Sequence, residues 1–236
     1  MKLLETIRFE NGRFANLDLH QQRMNVSRKV LFDIGMAIDL EKELSRSSGF
    51  LPRRQAGAIR TQLEADLQSA KYGIENPVSP DFQIANLKEL EGLFKCRIIY
   101  SKQIEKIEFI PYRLPEIQSL KMVFDDEIDY AHKYFDRNQL NKHFSQKENC
   151  DDILIVKNGL LTDTSFANIL FFNGKQWLTP SGPLLKGTQR RFLLEREQIV
   201  TADIRPADLK SFQKARLINA MIRTEDEVDV EMEDIA

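Results

Sequence analysis

The sequence predicts an α+β chain of two domains, an N-terminal α/β domain over 1–123 and a β-rich domain over 124–236. Three observations lead there. Residues 1–123 mix strand-like stretches with segments of helical periodicity. Residues 151–180 run as short apolar strands punctuated by Asn158-Gly159 and Asn173-Gly174. Between the two, the acidic stretch 125–129 reads as an exposed linker. Asn-Gly between apolar runs is a strong hairpin signal, because both central residues of a type I′ turn need positive φ.

Taken in order, residues 3–9 (LLETIRF) alternate loosely and end at Asn11-Gly12, which predicts a strand, a hairpin and a return arm over 13–15. Asp18 is the expected N-cap of a helix over 19–32, with Met24, Val30, Leu31 and Ile34 at helical spacing and Gly35 as its stop. A second helix is expected over 40–45. Residues 55–72 are rich in helix formers with an apolar stripe Ile59-Leu63-Leu67, and 82–94 also reads as helix. Residues 49–54 and 73–80 are connectors between them.

Strands follow at 96–100, 106–110 and 120–124. In the second domain the expectations are a helix over 137–144, strands at 153–156, 169–172 and 177–178, and a helix over 188–195. A strand at 199–204, a helical turn at 208–212 and a last strand at 216–218 complete it. The acidic tail 225–234 is expected to fray.

Composition narrows the function. Thirty-four basic and thirty-six acidic side chains leave a net charge of −2, which gives no electrostatic footprint for nucleic acid or an anionic membrane. Arg53-Arg54 and Arg190-Arg191 read as solvated surface. Two cysteines without CxxC spacing and three scattered histidines argue against a disulfide framework or a metal cluster. The N-terminus becomes charged too early for a signal peptide and no apolar run approaches membrane-spanning length, so a cytoplasmic enzyme is expected.

The chemistry concentrates in the second half. Gly187-Thr188 opens a helix, which supplies backbone N–H groups, a hydroxyl and the positive end of a dipole for an anion. Upstream lie Lys133, among the aromatics of YAHKYFDR, and the acid Asp163. An amine, a carboxylate and an anion site in that order suit a cofactor bearing an aldehyde, a ring nitrogen and a phosphate.

These residues resemble a known family. ETIR at 5–8, the H-x-x-R of His20–Arg23, Lys133 with Arg137, TDTSFAN at 162–168, LLKGTQR at 184–190 and INA at 218–220 stand in the order of the class IV aminotransferases. These are the fold-type IV pyridoxal 5′-phosphate (PLP) enzymes, which include branched-chain and D-amino-acid transaminases and 4-amino-4-deoxychorismate lyase. The resemblance implies that Lys133 bonds to the cofactor's aldehyde and serves as general acid and base. It implies that Asp163, where the family has glutamate, pairs with the ring nitrogen, and that Leu185 packs on the ring. Arg23, the backbone at Thr188 and Gln189, and Asn219-Ala220 would hold the phosphate. Arg97 and Thr6 are the substrate-side candidates. Departures from the family are Asp163, Thr164 and Gln189, together with a start close to ETIR, so the rim through which substrate reaches the site is expected to differ.

The short length and Asn219-Ala220 resemble the lyase, which forms 4-aminobenzoate and pyruvate. A transaminase for D- or branched-chain amino acids is the runner-up, and a PLP-carrying homologue without catalysis the third reading. The resemblance also implies a homodimer.

Overall fold

The computed structural model describes residues 1–47 and 92–236, which form two compact units: Leu4–Arg113, and Met1–Leu3 with Leu114–Ala236. The helix expected over 55–72 and the connectors 49–54 and 73–80 lie outside the described residues, as does all but the end of the helix expected over 82–94. That end belongs to a strand.

The first unit carries a four-stranded sheet in the order β2-β1-β3-β4, with β1 Leu3–Glu10, β2 Arg13–Phe14, β3 Leu93–Tyr100 and β4 Ile104–Pro111. The β1–β2 hairpin turns on Asn11-Gly12, both at positive φ (48° and 79°), as type I′ geometry requires. Phe9 packs on Phe14 and Phe109, with ring centroids 4.7 and 5.3 Å away. Helix α1 (Leu17–Phe32) begins earlier than expected. Asn16, in a left-handed conformation, is its N-cap, and Asp18 sits in the first turn, where a carboxylate complements the dipole. The helix also ends before Gly35, closed by Asp33 at φ 54°.

The buried face of α1 differs from the apolar stripe expected. It is formed by Leu19, His20, Met24, Ser27 and Arg28, while Val30 is 64% exposed. Polar side chains can be buried here because each finds partners: the Arg28 guanidinium donates to the carbonyls of Lys102 and Met36 and to Asn25 Oδ1. A short helix α2 (Leu40–Ser47) follows.

The second unit is built on an eight-stranded sheet. Its main path runs β10-β9-β8-β7-β6-β5, with β11 added to β8 and β12 to β11. The strands are β5 Leu120–Phe124, β6 Asp152–Lys157, β7 Leu160–Thr164, β8 Asn168–Phe172, β9 Trp177–Pro180, β10 Val200–Ala202, β11 Lys214–Ile218 and β12 Asp229–Glu231. Strand β5 pairs in parallel with β6, so it belongs to this unit. The division therefore falls between Arg113 and Leu114 rather than at 123/124.

Strand β6 is apolar on both faces because both are covered. Leu154 and Val156 join one core with Ile169, Phe171 and Leu217, whereas Ile153 and Ile155 join another with Val123, Ile128 and Tyr130. Helix α3 (Asn138–Phe144) precedes β6, and α4 (Thr188–Glu195) follows β9.

Two expectations are corrected in this unit. The meander contains β7, which the sequence reading missed although it carries Asp163. The acidic tail is also ordered: Val228, Val230 and Ile235 are buried in the core, β12 pairs with β11, and the Ala236 amide donates to Leu120 O.

Candidate active site

Four segments of the second unit meet at Asp163. Strand β7 turns through Ser165–Ala167 into β8, and Asp163 is the register partner of Asn168 across that turn. Asn168 Nδ2 donates to Asp163 Oδ1 at 2.7 Å, and the Leu185 amide donates to Oδ2 at 2.9 Å. The carboxylate is buried, 5% exposed, and so is no solvent-facing turn residue. Burial pushes its pKa up to about 6, although the amides of Leu185 and Leu184, the Asn168 carboxamide and the charge of Arg190 all pull the other way. A carboxylate in this state gains from a cationic partner.

The same hydrogen bonds fix the segment that leads into α4. Leu185, half-buried, packs against the cluster of Val123, Ile128 and Tyr130. Thr188 and Gln189 form the first turn of α4 and are 3% and 5% exposed. They sit where a helix concentrates its positive partial charge. Arg190 corrects the surface reading given to Arg190-Arg191. It is 7% exposed, with Nε on Thr179 Oγ1 at 3.2 Å and Nη2 on the Pro180 carbonyl at 2.8 Å.

Lys133 lies half-buried in the loop before α3. Its neighbours anchor that loop. The Tyr130 hydroxyl donates to Tyr134 O at 3.1 Å, Tyr134 bridges to Leu3, and Tyr134 packs against the same cluster as Leu185. Arg137, four residues on, donates from Nη2 to Ser165 O at 2.7 Å, tying the start of α3 to the turn after Asp163. The lysine loop, the Asp163 turn and the Leu185 segment are thus joined through side chains that the sequence motifs name.

Asn219 has a narrower role than expected. Its Oδ1 accepts from the amides of Met221 and Ile222, and its own amide donates to Ile222 O at 3.0 Å. That amide is already used, so the expected donor pair reduces to Ala220. A cleft of about 370 Å³ beside Tyr130, Leu160, Thr162 and Leu184 opens on the other face of β7 from Asp163, since side chains alternate along a strand.

Three expected residues belong to the first unit. Arg23 is joined to Glu5, with Nε 2.9 Å from Oε1 and Nη2 2.5 Å from Oε2. His20 Nδ1 lies 2.7 Å from the same carboxylate, so ETIR and H-x-x-R form one buried cluster. Sequence reasoning missed Glu5, although its place in a strand of apolar neighbours was a signal that it needed a partner. Arg97 faces Glu108 across the β3–β4 pair at 3.6 Å, and Thr6 is half-buried on the face of β1 opposite Glu5 and Ile7.

Known proteins resemble this chain in sequence and fold. An uncharacterized protein of Haemophilus influenzae is 32% identical over 219 residues, 93% of this chain and 97% of its own length. The crystal structure of a putative 4-amino-4-deoxychorismate lyase from Haemophilus somnus 129pt is 34% identical, with a TM-score of 0.69 over 94% of this chain and 97% of that one. A hypothetical aminotransferase from Mycobacterium tuberculosis in its PLP-bound form shares the fold, at 17% identity and a TM-score of 0.61, over 94% of this chain and 78% of its own. Residues 117–224, which hold Lys133, Asp163, Leu185, Thr188 and Ala220, match the model of the amino-transferase class IV family. In sequence and α+β fold, this chain is an enzyme of the amino-transferase class IV family.

Proposed function

We propose that this enzyme binds PLP and acts as a 4-amino-4-deoxychorismate lyase, releasing 4-aminobenzoate and pyruvate. The observation that carries the reading is the buried Asp163 carboxylate, held at both oxygens in a setting that favours a cationic partner. Each carboxylate oxygen can accept more than one donor, so Asn168 and Leu185 leave capacity for a ring N–H. The donor set fits the cofactor: an amine at Lys133, a carboxylate at Asp163, and a helix start and the Ala220 segment for a phosphate.

When bound, PLP supplies an aldehyde that bonds amines and a ring that accepts electrons from the adjacent carbon. The residues do the rest. Lys133 Nζ takes up and returns a proton beside the reacting carbon. Asp163 would hold a proton on the ring nitrogen, and Leu185 would pack against the ring. The first turn of α4 would neutralise phosphate charge; Arg23, whose Nε and Nη2 are directed to Glu5, is a further phosphate-binding candidate. Thr6 and Arg97 are the proposed contacts to substrate.

The lyase is preferred to a transaminase on two grounds: Asn219-Ala220 at the last loop, and 34% identity to the Haemophilus somnus protein along nearly the whole chain. Incubation with 4-amino-4-deoxychorismate and PLP is expected to give 4-aminobenzoate and pyruvate in equal amounts, and Lys133→Ala to give neither. A 2-oxo acid formed from D-alanine or leucine, without 4-aminobenzoate, reverses the ranking. A PLP-loaded protein that turns over none of them is the degenerate homologue. Among the described residues no helix is long and apolar enough to cross a membrane. A cytoplasmic homodimer completes the proposal, and sedimentation equilibrium tests the dimer.

A further inference from the structure

Asn168 stands at the centre of the Asp163 arrangement. Its Nδ2 donates twice, to Asp163 Oδ1 at 2.7 Å and to the Leu185 carbonyl at 2.9 Å. Both partners are acceptors, so chemistry fixes which end of the carboxamide carries nitrogen: the reverse orientation would set an oxygen against two oxygens. Leu185 completes the ring of contacts by donating its own amide to Asp163 Oδ2. Asp163 and Asn168 together therefore hold both polar atoms of the Leu185 backbone.

The other end of the carboxamide meets Gly187. A Cβ built on Gly187 would lie 2.1 Å from Asn168 Oδ1, far inside contact distance. Gly187 has φ −64° and ψ 145°, which any residue can adopt, so the requirement for glycine here is space and not backbone conformation. Gly187 is also the N-cap of α4, so the position of Asn168 and the position of that helix start are mutually constrained.

We propose that Asn168 is a positioning residue: its carboxamide, lying on the bare backbone of Gly187, locks the Asp163 carboxylate, Leu185 and the start of α4 into one arrangement before any cofactor arrives. The inference rests on the reading of Asp163 as the partner of a cofactor ring nitrogen. A plain strand-end asparagine would need only one of these contacts, and its loss would leave Asp163 undisturbed.

The test follows the Asp163 carboxyl carbon by 13C NMR in a pH titration of the apo protein. Asn168→Ala removes a donor to the ionised form, and its midpoint is expected to rise by about one pH unit over the wild type. Gly187→Ala displaces the carboxamide without changing Asn168 and is expected to shift the midpoint in the same direction. Arg190, whose charge also acts on Asp163, is bonded to Thr179 and Pro180 and to neither substituted side chain.

An unchanged midpoint in a folded Asn168→Ala protein overturns the proposal, even if that protein melts at a lower temperature. Should the variants fail to fold, the wild type decides: the Asn168 side-chain 15N–1H signals are expected to titrate with the Asp163 midpoint, and a flat response refutes the coupling. Borohydride reduction of the wild type with PLP is read separately. Failure to fix PLP on Lys133 sinks the cofactor reading and leaves the apo titration to judge Asn168.

Discussion

Replacing Glu5 with glutamine probes the electrostatic centre of the first unit. Glu5 is fully buried and accepts from Arg23 at both oxygens and from His20 at one. Burial raises its pKa. The Arg23 charge, the hydrogen bonds from His20 and Arg23 and the His20 charge more than reverse that, leaving the carboxyl at about 2 against an ordinary 4.5. An ionised carboxylate only accepts, so the His20 Nδ1 carries the hydrogen of that contact. Moving the carboxyl from 4.5 down to about 2 corresponds to ~3 kcal/mol in favour of the folded state.

The folded protein holds this proton less tightly than the unfolded chain. The stabilisation is therefore complete above about pH 4.5 and is lost as pH falls through about 2. Glu5→Gln keeps the shape but leaves Arg23 facing an amide, and a broken buried pair typically costs ~3–5 kcal/mol. In urea denaturation followed by far-UV circular dichroism, with hydrogen exchange of the β1 and α1 amides as the local readout, the variant is expected to be ~3 kcal/mol less stable at pH 7. The gap should narrow by about half at pH 3. A difference below about 1 kcal/mol at pH 7, or one that is the same at both pH values, refutes the reasoning.

Two further outcomes are expected. Asp152 is 1% exposed and, among the described residues, neither carboxyl oxygen has a hydrogen-bond partner; burial raises its pKa, and the Ser165 and Thr164 hydroxyls and nearby amides moderate the field without hydrogen-bonding geometry. The folded protein holds this proton more tightly, so wild-type stability falls as pH rises through the raised value, and thermal melts should find Asp152→Asn more stable than wild type at pH 8, by about 1–2 kcal/mol, with little advantage at pH 4. Phe171→Ala removes a fully buried ring that packs on Phe212 at 5.3 Å; denaturation at pH 7 should show a loss of about 3–5 kcal/mol.

Local chemistry was legible in the sequence. Asn158-Gly159 predicts its hairpin, and both residues take positive φ (52° and 74°) because that turn has no other solution. Helix α4 opens at the Gly-Thr step and spans the range expected for it. The ordered motifs marked the family and most of the residues around Asp163. Strand β7 was not legible, because Thr162, Asp163 and Thr164 carry no apolar alternation. They are buried only because each finds a partner: Thr162 Oγ1 on the Ile155 carbonyl, Thr164 Oγ1 on that of Ala167, and Asp163 between Asn168 and Leu185.

Burial of charge was likewise decided by tertiary structure. Arg190 differs from its exposed neighbour Arg191 only in pointing at Thr179 and Pro180. The acidic tail is ordered because Asp229 meets Lys214 and Arg216 across a strand pair. Sequence by itself determined the Asn-Gly turns, the start of α4 and the family, whose causes lie within a few residues of one another. Only the folded chain could decide which polar groups go inside, because the partner that makes burial tolerable is brought there by sheet register from a distant part of the chain.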